Sequence, residues 1–275
     1  MKVFLDWDSS FIPAFNKLSQ ADPLVGSWVD YAFYYEFFKR IGDAEIEFYV
    51  DGDKILPVRT LKTPSEGGGP IPTILGDGDF PFQDEFYKDE QFIKECGFEV
   101  IPCAREDAVV KTSYSGFAEH LKHLSQVGRA YKHSKGLRFS LNMGMSPVEY
   151  FTNYHHCRRH FTESKGSSVD TLATYQHFLT LAEHGMFTIN IYEGSSLLAT
   201  GFFVKREGEV YWLNTFRDHT DTRAIGNLVL LEALRICYDT KDTNLNLGYG
   251  WMSYKFSAWK AVSVPVKGLR RLEKT

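Results

Sequence analysis

Residues 209–239 read EVYWLNTFRDHTDTRAIGNLVLLEALRICYD. Residues 209–216 are rich in aromatic and β-branched side chains and predict a strand. RDHTDTRAIGN is polar and predicts a loop. LVLLEALRICYD predicts an amphipathic helix that begins directly after Gly226. A helix start offers unpaired N–H donors and a partial positive charge, and Arg223 adds a formal charge beside it. Strand, polar loop and helix in this order therefore predict a site for an anion.

Working outward, MFTINIYE (186–193) and LLATGFFVK (197–205) precede this stretch as two further strands. Gly194-Ser195 and Glu207-Gly208 supply the turns, so the three strands form an antiparallel meander. Ser146, Pro147 and Glu149 open a helix to about Thr162. Ser167 and Asp170 open another, with Leu172, Tyr175, Leu179 and Ala182 on one face, ended by Gly185. After residue 239 come the strand TNLNLG (243–248), the segment LNLGYGWMSYKFSAWK (245–260) and a short strand over Ala261 to Val266. The basic stretch 128–138, GRAYKHSKGLR, lacks apolar periodicity and is taken as the core of a linker over 128–145.

The first half reads as mixed α/β. Ser27 and Asp30 fit a capping box before WVDYAFYYEFFKRI, which stops at Gly42. EIEFYV and KILPVRTL flank Asp51-Gly52-Asp53, a hairpin signal. A long loop follows from about Lys62 to Phe82, with Gly67-Gly68-Gly69 and Gly76-Asp77-Gly78. The glycine triplet has no strand-to-helix context and reads as a flexible loop rather than a phosphate cradle. A helix near 84–95, strands near 98–101 and 108–112, and a helix near 115–127 complete this half.

Composition bounds the function. The 275 residues are 43% hydrophobic and 24% charged, with 22 Phe and 15 Tyr, enough for a substantial core. No apolar run approaches about 18 residues, so no membrane insertion is expected. Asp6 and Asp8 break the first apolar stretch, which argues against a signal peptide. Cys96, Cys103, Cys157 and Cys237 are scattered and read as free thiols in a reducing cytoplasm. Residues 1–125 hold 12 Lys/Arg against 22 Asp/Glu, a formal −10; residues 126–275 hold 19 against 13, a formal +6. The basic half suits a polyanionic ligand. His156 and His160 share a helix face near His155 and Cys157, and Glu119, His120 and His123 have a metal-like spacing. Neither set has a further ligand, so no metal is expected. Tyr31 to Phe38 reads as core packing.

Arg223-Ala224-Ile225-Gly226 resembles the Arg/Gln-x-x-Gly-x-Gly/Ala pattern of the GNAT acyltransferases, although Leu228 stands where that family has a small residue. Leu247-Gly248-Tyr249-Gly250, Tyr254-Lys255 and Trp259 resemble the Gly-x-x-x-Tyr-Lys-x-x-Phe/Trp signature of the CelD/BcsL-like acyltransferases, which are similar to the FemABX aminoacyltransferases. Arg158-Arg159, Glu193-Gly194, Tyr211-Trp212 and the helix after Gly226 follow in the family's order. ILGDGDFPFQDEF (74–86) resembles a segment of the same family's first half. The resemblance covers most of the chain and is strongest over about 146–260.

This resemblance implies an α/β (α+β) GNAT fold with two GNAT-like lobes side by side and mixed, largely antiparallel sheets. Residues 1–127 would be a degenerate acceptor-side lobe and 146–275 the acyl-CoA lobe. Strands Glu209–Phe216 and Thr243–Leu247 would splay to admit acyl-pantetheine, with Gly248 and Gly250 turning close to the ligand. The resemblance implies Arg223, Ala224, Gly226 and Asn227 at the pyrophosphate, and backbone N–H groups of Asn214, Thr215 and Phe216 at the acyl carbonyl. It makes Tyr254 the acid for the leaving thiolate and Lys255 its charged partner. Asp218, His219 and Asp79 become acceptor-side candidates. The implied activity is N-acyl transfer from acetyl-CoA or another acyl-CoA to a small-molecule or nucleic-acid-linked amine. Three alternatives stand beside it: an aminoacyl-tRNA donor, as in FemABX enzymes; transfer to a modified nucleic-acid base; and an inactive binding module, which Leu228 favours.

Overall fold

Turn residues at fixed offsets delimit most elements of this chain. The computed structural model describes residues 1–42, 44–62, 72–75, 83–124, 127–132, 134–143, 152, 179–218, 221, 223–249 and 253–272. These divide into two compact units. One comprises the described residues of Met1–Ala104, Asp170–His184 and Pro265–Thr275; the other comprises those of Arg105–Val169 and Gly185–Val264. The architecture is two-unit α+β with mixed, largely antiparallel sheets, a tandem GNAT-like fold. Among the described residues no helix is long and apolar enough to cross a membrane.

In the first unit, β1 (Lys2–Phe4), β2 (Ala44–Asp51), β3 (Lys54–Leu61) and β4 (Pro72–Ile74) form an antiparallel sheet in that order. Asp51 pairs with Lys54 across the turn, and Gly52 takes the positive φ of +61° that a two-residue hairpin requires. Helices α1 (Ile12–Ala21) and α2 (Trp28–Ile41) belong to the same unit. The Asp30 carboxylate accepts from the Ser27 N–H and Oγ, and Gly42 ends α2 at φ +70°. The Tyr31–Phe38 stripe is core: Phe15 stacks on Tyr31 at 4.5 Å, and Phe11 meets Phe48 at 4.8 Å. Such pairs contribute about 0.5–1.5 kcal/mol beyond the area they bury.

Three local expectations change. The loop expected over 62–82 contains β4, because Ile74 and Leu75 are fully buried and Leu75 N–H donates to Pro57 O at 2.8 Å. The helix expected over 84–95 is two, α3 (Asp84–Tyr87) and α4 (Glu90–Glu95); Asp89 caps the second by accepting from Phe92 N–H. The strands expected near 98–101 and 108–112 are one, β5 (Phe98–Lys111). The glycine triplet, Asp79, the helix over 146–162 except Thr152, and most of the helix over 167–185 lie outside the described residues.

The second sheet adds β6 (Leu137–Met143), β7 (Met186–Glu193), β8 (Ser196–Arg206), β9 (Glu209–Arg217), β10 (Asn244–Tyr249) and β11 (Val262–Arg271). Its order is β11-β5-β10-β9-β8-β7-β6. The meander β7-β8-β9 is antiparallel, and β10 pairs parallel to β9 and antiparallel to β5. Parallel neighbours need a crossover, and α7 (Ile225–Thr240) provides it. Its Leu228, Val229 and Leu231 pack with Ile189, Ile191 and Ala199 in one buried cluster. Gly201 permits the approach, since a Cβ there would fall 2.2 Å from Val229 Cγ1. The stretch expected as a linker holds β6 and α6 (Val127–Lys132). Val127, Ala130 and Tyr131, spaced i, i+3, i+4, join the same cluster, a stripe too short to read as periodic in the sequence.

Thr188, Asn190 and Thr200, on the opposite face of β7 and β8, are fully buried, and the Oγ1 of Thr200 has no hydrogen-bond partner among the described residues. A buried unmade bond costs about 1–3 kcal/mol. Thr200→Val keeps the shape and removes that cost. It is expected to raise unfolding free energy by about 1 kcal/mol in a denaturant titration; a lower midpoint at unchanged slope would refute this.

His120 lies on α5 (Phe117–His123), 2% exposed, with Nδ1 2.8 Å from the Tyr238 hydroxyl. Burial pushes its pKa down to about 4. Glu119 pairs instead with Lys122 at the surface, and no group of His, Cys, Asp and Glu able to hold a metal occurs among the described residues. An unfolded histidine titrates near 6.5, so between about pH 6.5 and 4 the unfolded chain binds the extra proton. Stability is therefore lost as pH falls through that window. His120→Gln should flatten the slope of melting temperature against pH there; an unchanged slope would count against this source.

Candidate active site where two strands part

β9 and β10 pair only over Glu209–Tyr211 and Asn244–Asn246, although β9 continues to Arg217 and β10 to Tyr249. Two local features separate them. Against β8, Asn214 pairs with Phe202 and Trp212 with Phe203, so Leu213 is an extra residue in β9. Such a bulge bends its strand and raises the twist. On β10, Gly248 turns at φ +69° and donates its N–H to Asn246 Oδ1 at 2.8 Å. Asn246 is buried and donates from Nδ2 to Asp107 Oδ2 at 3.0 Å.

Lys255, on the short helix α8 (Ser253–Ser257), is 2% exposed. Its Nζ donates to Leu247 O at 2.8 Å and Gly248 O at 3.2 Å and lies 5.6 Å from the Trp212 ring centre. Burial pushes its pKa down, and Asp107 opposes that shift. The ammonium is thus built into the end of β10.

The start of α7 is unusual. Its N-cap is Ala224, at φ +43° and ψ +37°, a left-handed conformation that strains a residue with a Cβ. Among the described residues no side chain caps the first turn. Asn227 N–H closes on Ala224 O at 2.9 Å. Ala224, Gly226 and Asn227 line a cavity of about 530 Å³ together with Trp212, Thr215 and Arg217 of β9. Tyr254 from α8 adds a polar wall, and Leu230 and Ala258 are apolar lining. Tyr254 is 38% exposed, and partial desolvation at the cavity wall raises its hydroxyl above the ordinary value, so it keeps its proton at neutral pH.

Five residues singled out in the sequence thus meet at one cavity: Thr215, Ala224, Gly226, Asn227 and Tyr254. Others sit apart from it. Asn214 Oδ1 accepts from Thr215 N–H at 2.8 Å, which engages a donor expected for the acyl carbonyl. Phe216 pairs through its backbone with Thr200 in the β8 ladder. Asp218 N–H donates to Leu198 O at 2.7 Å. Arg223 faces Asp221 and Glu193. Asp79, His219, Gly250 and the histidines at 155, 156 and 160 lie outside the described residues. Leu228 is fully buried in the α7 core cluster, so the bulky residue at the family's small position packs inward. Arg217 and Trp212 are the additions. Arg217 stands one residue past the expected strand, and its place at the head of the polar loop was the available signal.

No family model matches the chain, and no curated protein matches it by sequence. Solved structures do match. The C-terminal domain of a putative lysylphosphatidylglycerol synthetase from Agrobacterium fabrum has a TM-score of 0.55 at 11% identity, over 95% of this chain and 91% of that one. L-PGS from Bacillus licheniformis has a TM-score of 0.54 at 14% identity, over 97% and 92%. FemX has a TM-score of 0.50 at 10% identity, over 99% and 98%. Identities this low establish a shared fold.

Lys255→Met keeps the volume and removes the donor to Leu247 O and Gly248 O. Two carbonyls then lose their charged partner, and the variant is expected to be less stable by about 1.5–3 kcal/mol, the scale of a hydrogen bond to a charged group. Urea unfolding measures this, and wild-type stability would contradict it.

Proposed function

We propose that this chain transfers an acyl or aminoacyl group from a phosphate-bearing carrier to an amine. The observation that carries the reading is the cavity where β9 and β10 part, walled by the uncapped start of α7 on one side and Tyr254 on the other. Anions are favoured at such a helix start. Gly226 has no side chain of its own at the first turn, and the Arg217 side chain runs beside it, with Cδ 3.5 Å from the position of a Cβ there. Beyond Tyr211 and Asn246 the two strands no longer pair with each other, which opens a gap for an extended arm.

The first reading of the carrier is coenzyme A, with acetyl-CoA or another acyl-CoA as donor. The donor set fits: uncapped backbone N–H groups for a pyrophosphate, a cavity of about 530 Å³, and a protonated tyrosine. The acceptor nitrogen attacks the carbonyl carbon, the C–S bond breaks, and Tyr254 gives its proton to the sulfur. The proton released by the amine restores the tyrosine. No covalent enzyme intermediate is needed. Lys255 acts here by holding the end of β10, next to Tyr254.

The second reading keeps this chemistry and replaces the thioester by the ester of an aminoacyl-tRNA. The likeness to FemX and to the C-terminal domain of a putative lysylphosphatidylglycerol synthetase favours it, since that synthetase's name denotes an aminoacylated product. The leaving atom is then a ribose oxygen, and the role of Tyr254 is the same.

Tyr254→Phe keeps the ring and removes the proton. The single-turnover rate with acetyl-CoA should fall by about 10²-fold, the scale of general acid catalysis, while donor affinity changes little. An unchanged rate in the folded variant would remove Tyr254 from the chemistry. Calorimetry separates the carriers, because a wild-type protein that ignores millimolar acetyl-CoA but binds tRNA leaves only the second reading.

A further inference from the structure

Two arginines flank the start of α7, and their contacts differ. Arg223 is enclosed by carboxylates. Its Nε donates to both Asp221 oxygens at 3.1 Å, and its Nη2 to Asp221 Oδ2 at 2.6 Å. Nη1 reaches Glu193 Oε1 at 2.6 Å, and Nη2 reaches Glu193 Oε2 at 3.0 Å. One guanidinium against two carboxylates leaves a cluster of formal charge −1, which repels a phosphate. The same contacts shape the loop. Arg223 N–H donates to Asp221 Oδ1 at 2.8 Å, immediately before the strained Ala224. The arginine that the motif singles out therefore has its fork turned away from any incoming anion.

Arg217 is placed differently. It ends β9 and lines the cavity, and it makes no ion pair within 4.0 Å among the described residues, although Asp221 is near enough to feel its charge. Its Cδ lies 3.5 Å from the position a Cβ would take on Gly226, so the side chain runs along the first turn of α7. That places a flat guanidinium beside the backbone donors of the helix start. A guanidinium fork matches the paired oxygens of a phosphate, and an ammonium does so less well.

We propose that Arg217 is the residue whose charge holds the donor's phosphate, and that Arg223 is a positioning residue that braces the loop leading into α7. The proposal rests on the donor reading of the cavity given above. It narrows the ligand to carriers that present a phosphate oxygen pair, which coenzyme A and tRNA both have. It also reassigns the charged member of the family-like motif from its third-last position before Gly226 to a residue on the preceding strand.

The test is a titration of the full chain with coenzyme A, repeated at several salt concentrations. Arg217→Gln is expected to weaken binding at least tenfold and to flatten the salt dependence. Arg217→Lys should restore part of both, because the charge returns without the fork. Arg223→Gln should lower the melting temperature and weaken binding less than Arg217→Gln does. Wild-type affinity and salt slope in Arg217→Gln overturn the proposal while the coenzyme A reading survives. A greater loss from Arg223→Gln, in protein that melts like wild type, overturns it as well. If the wild type ignores coenzyme A but binds unacylated tRNA, the same variants are titrated with that tRNA. The same ranking then supports Arg217 although the coenzyme A reading has failed. Wild-type protein that binds neither probe at millimolar coenzyme A and micromolar tRNA defeats both.

Discussion

β9 and β10 hydrogen-bond over three residue pairs and then separate, and the cavity exists because they do. A parallel pair in the middle of a sheet has no intrinsic reason to stop. Unpaired backbone groups are costly wherever water is excluded. The separation is therefore held from both sides. The extra residue Leu213 bends β9 while its ladder with β8 continues to Arg217. On the other strand, the Asp107–Asn246–Gly248 chain of hydrogen bonds sets the left-handed turn that ends β10's straight course. Lys255 then donates to Leu247 O and Gly248 O, carbonyls at the end of β10. A buried ammonium is expensive in isolation and tolerable when its hydrogens are bonded to carbonyl oxygens. This cost fits a position where strand geometry must be fixed next to Tyr254.

The start of α7 is held by the same logic. Ala224 in the left-handed region costs about 1–2 kcal/mol for a residue with a Cβ. Glycine would avoid that cost. The Arg223–Asp221–Glu193 cluster over-determines the turn from the preceding residue. The result is a helix whose first turn is presented without a side-chain cap. Strain and missing capping are both destabilising locally, and both occur beside the cavity-lining residues.

Much of this was legible in the sequence, for identifiable reasons. β7 spans 186–193 as read, and α2 spans 28–41 as read, because glycine and a capping box mark their ends. The meander followed from its two glycine turns. The helix start at Gly226 was legible from the strand–loop–helix order, whereas Tyr254 and Asn227 entered only through the family resemblance; all three line one cavity. What was missed depends on burial rather than pattern. α6 is a single stripe of three residues within a basic stretch, and β4 is a three-residue strand, Pro72–Ile74, inside a glycine-rich one. Lys255 looks in sequence like a charge available for chemistry. Its two hydrogen bonds to β10 carbonyls depend on where α8 packs, and no spacing rule reports that.

Charge shows the same limit more sharply. The formal +6 of residues 126–275 suggested a diffuse surface for a polyanion. Geometry shows several of those cations engaged locally. Arg235 pairs with Glu232 and Asp239 along α7, Lys205 pairs with Asp242 at 2.9 Å, and Arg223 pairs with two acids. A cation whose neighbours neutralise it contributes little field beyond a Debye length of about 8–10 Å. Arg217 differs because it lines a concavity and makes no direct ion pair among the described residues, with Asp221 acting on it only at longer range. Low-dielectric walls focus its field on the start of α7, where the backbone dipoles have the same sign. A census of charge gives the sign of a ligand. The location of its binding site follows from which charges the fold leaves without a direct partner.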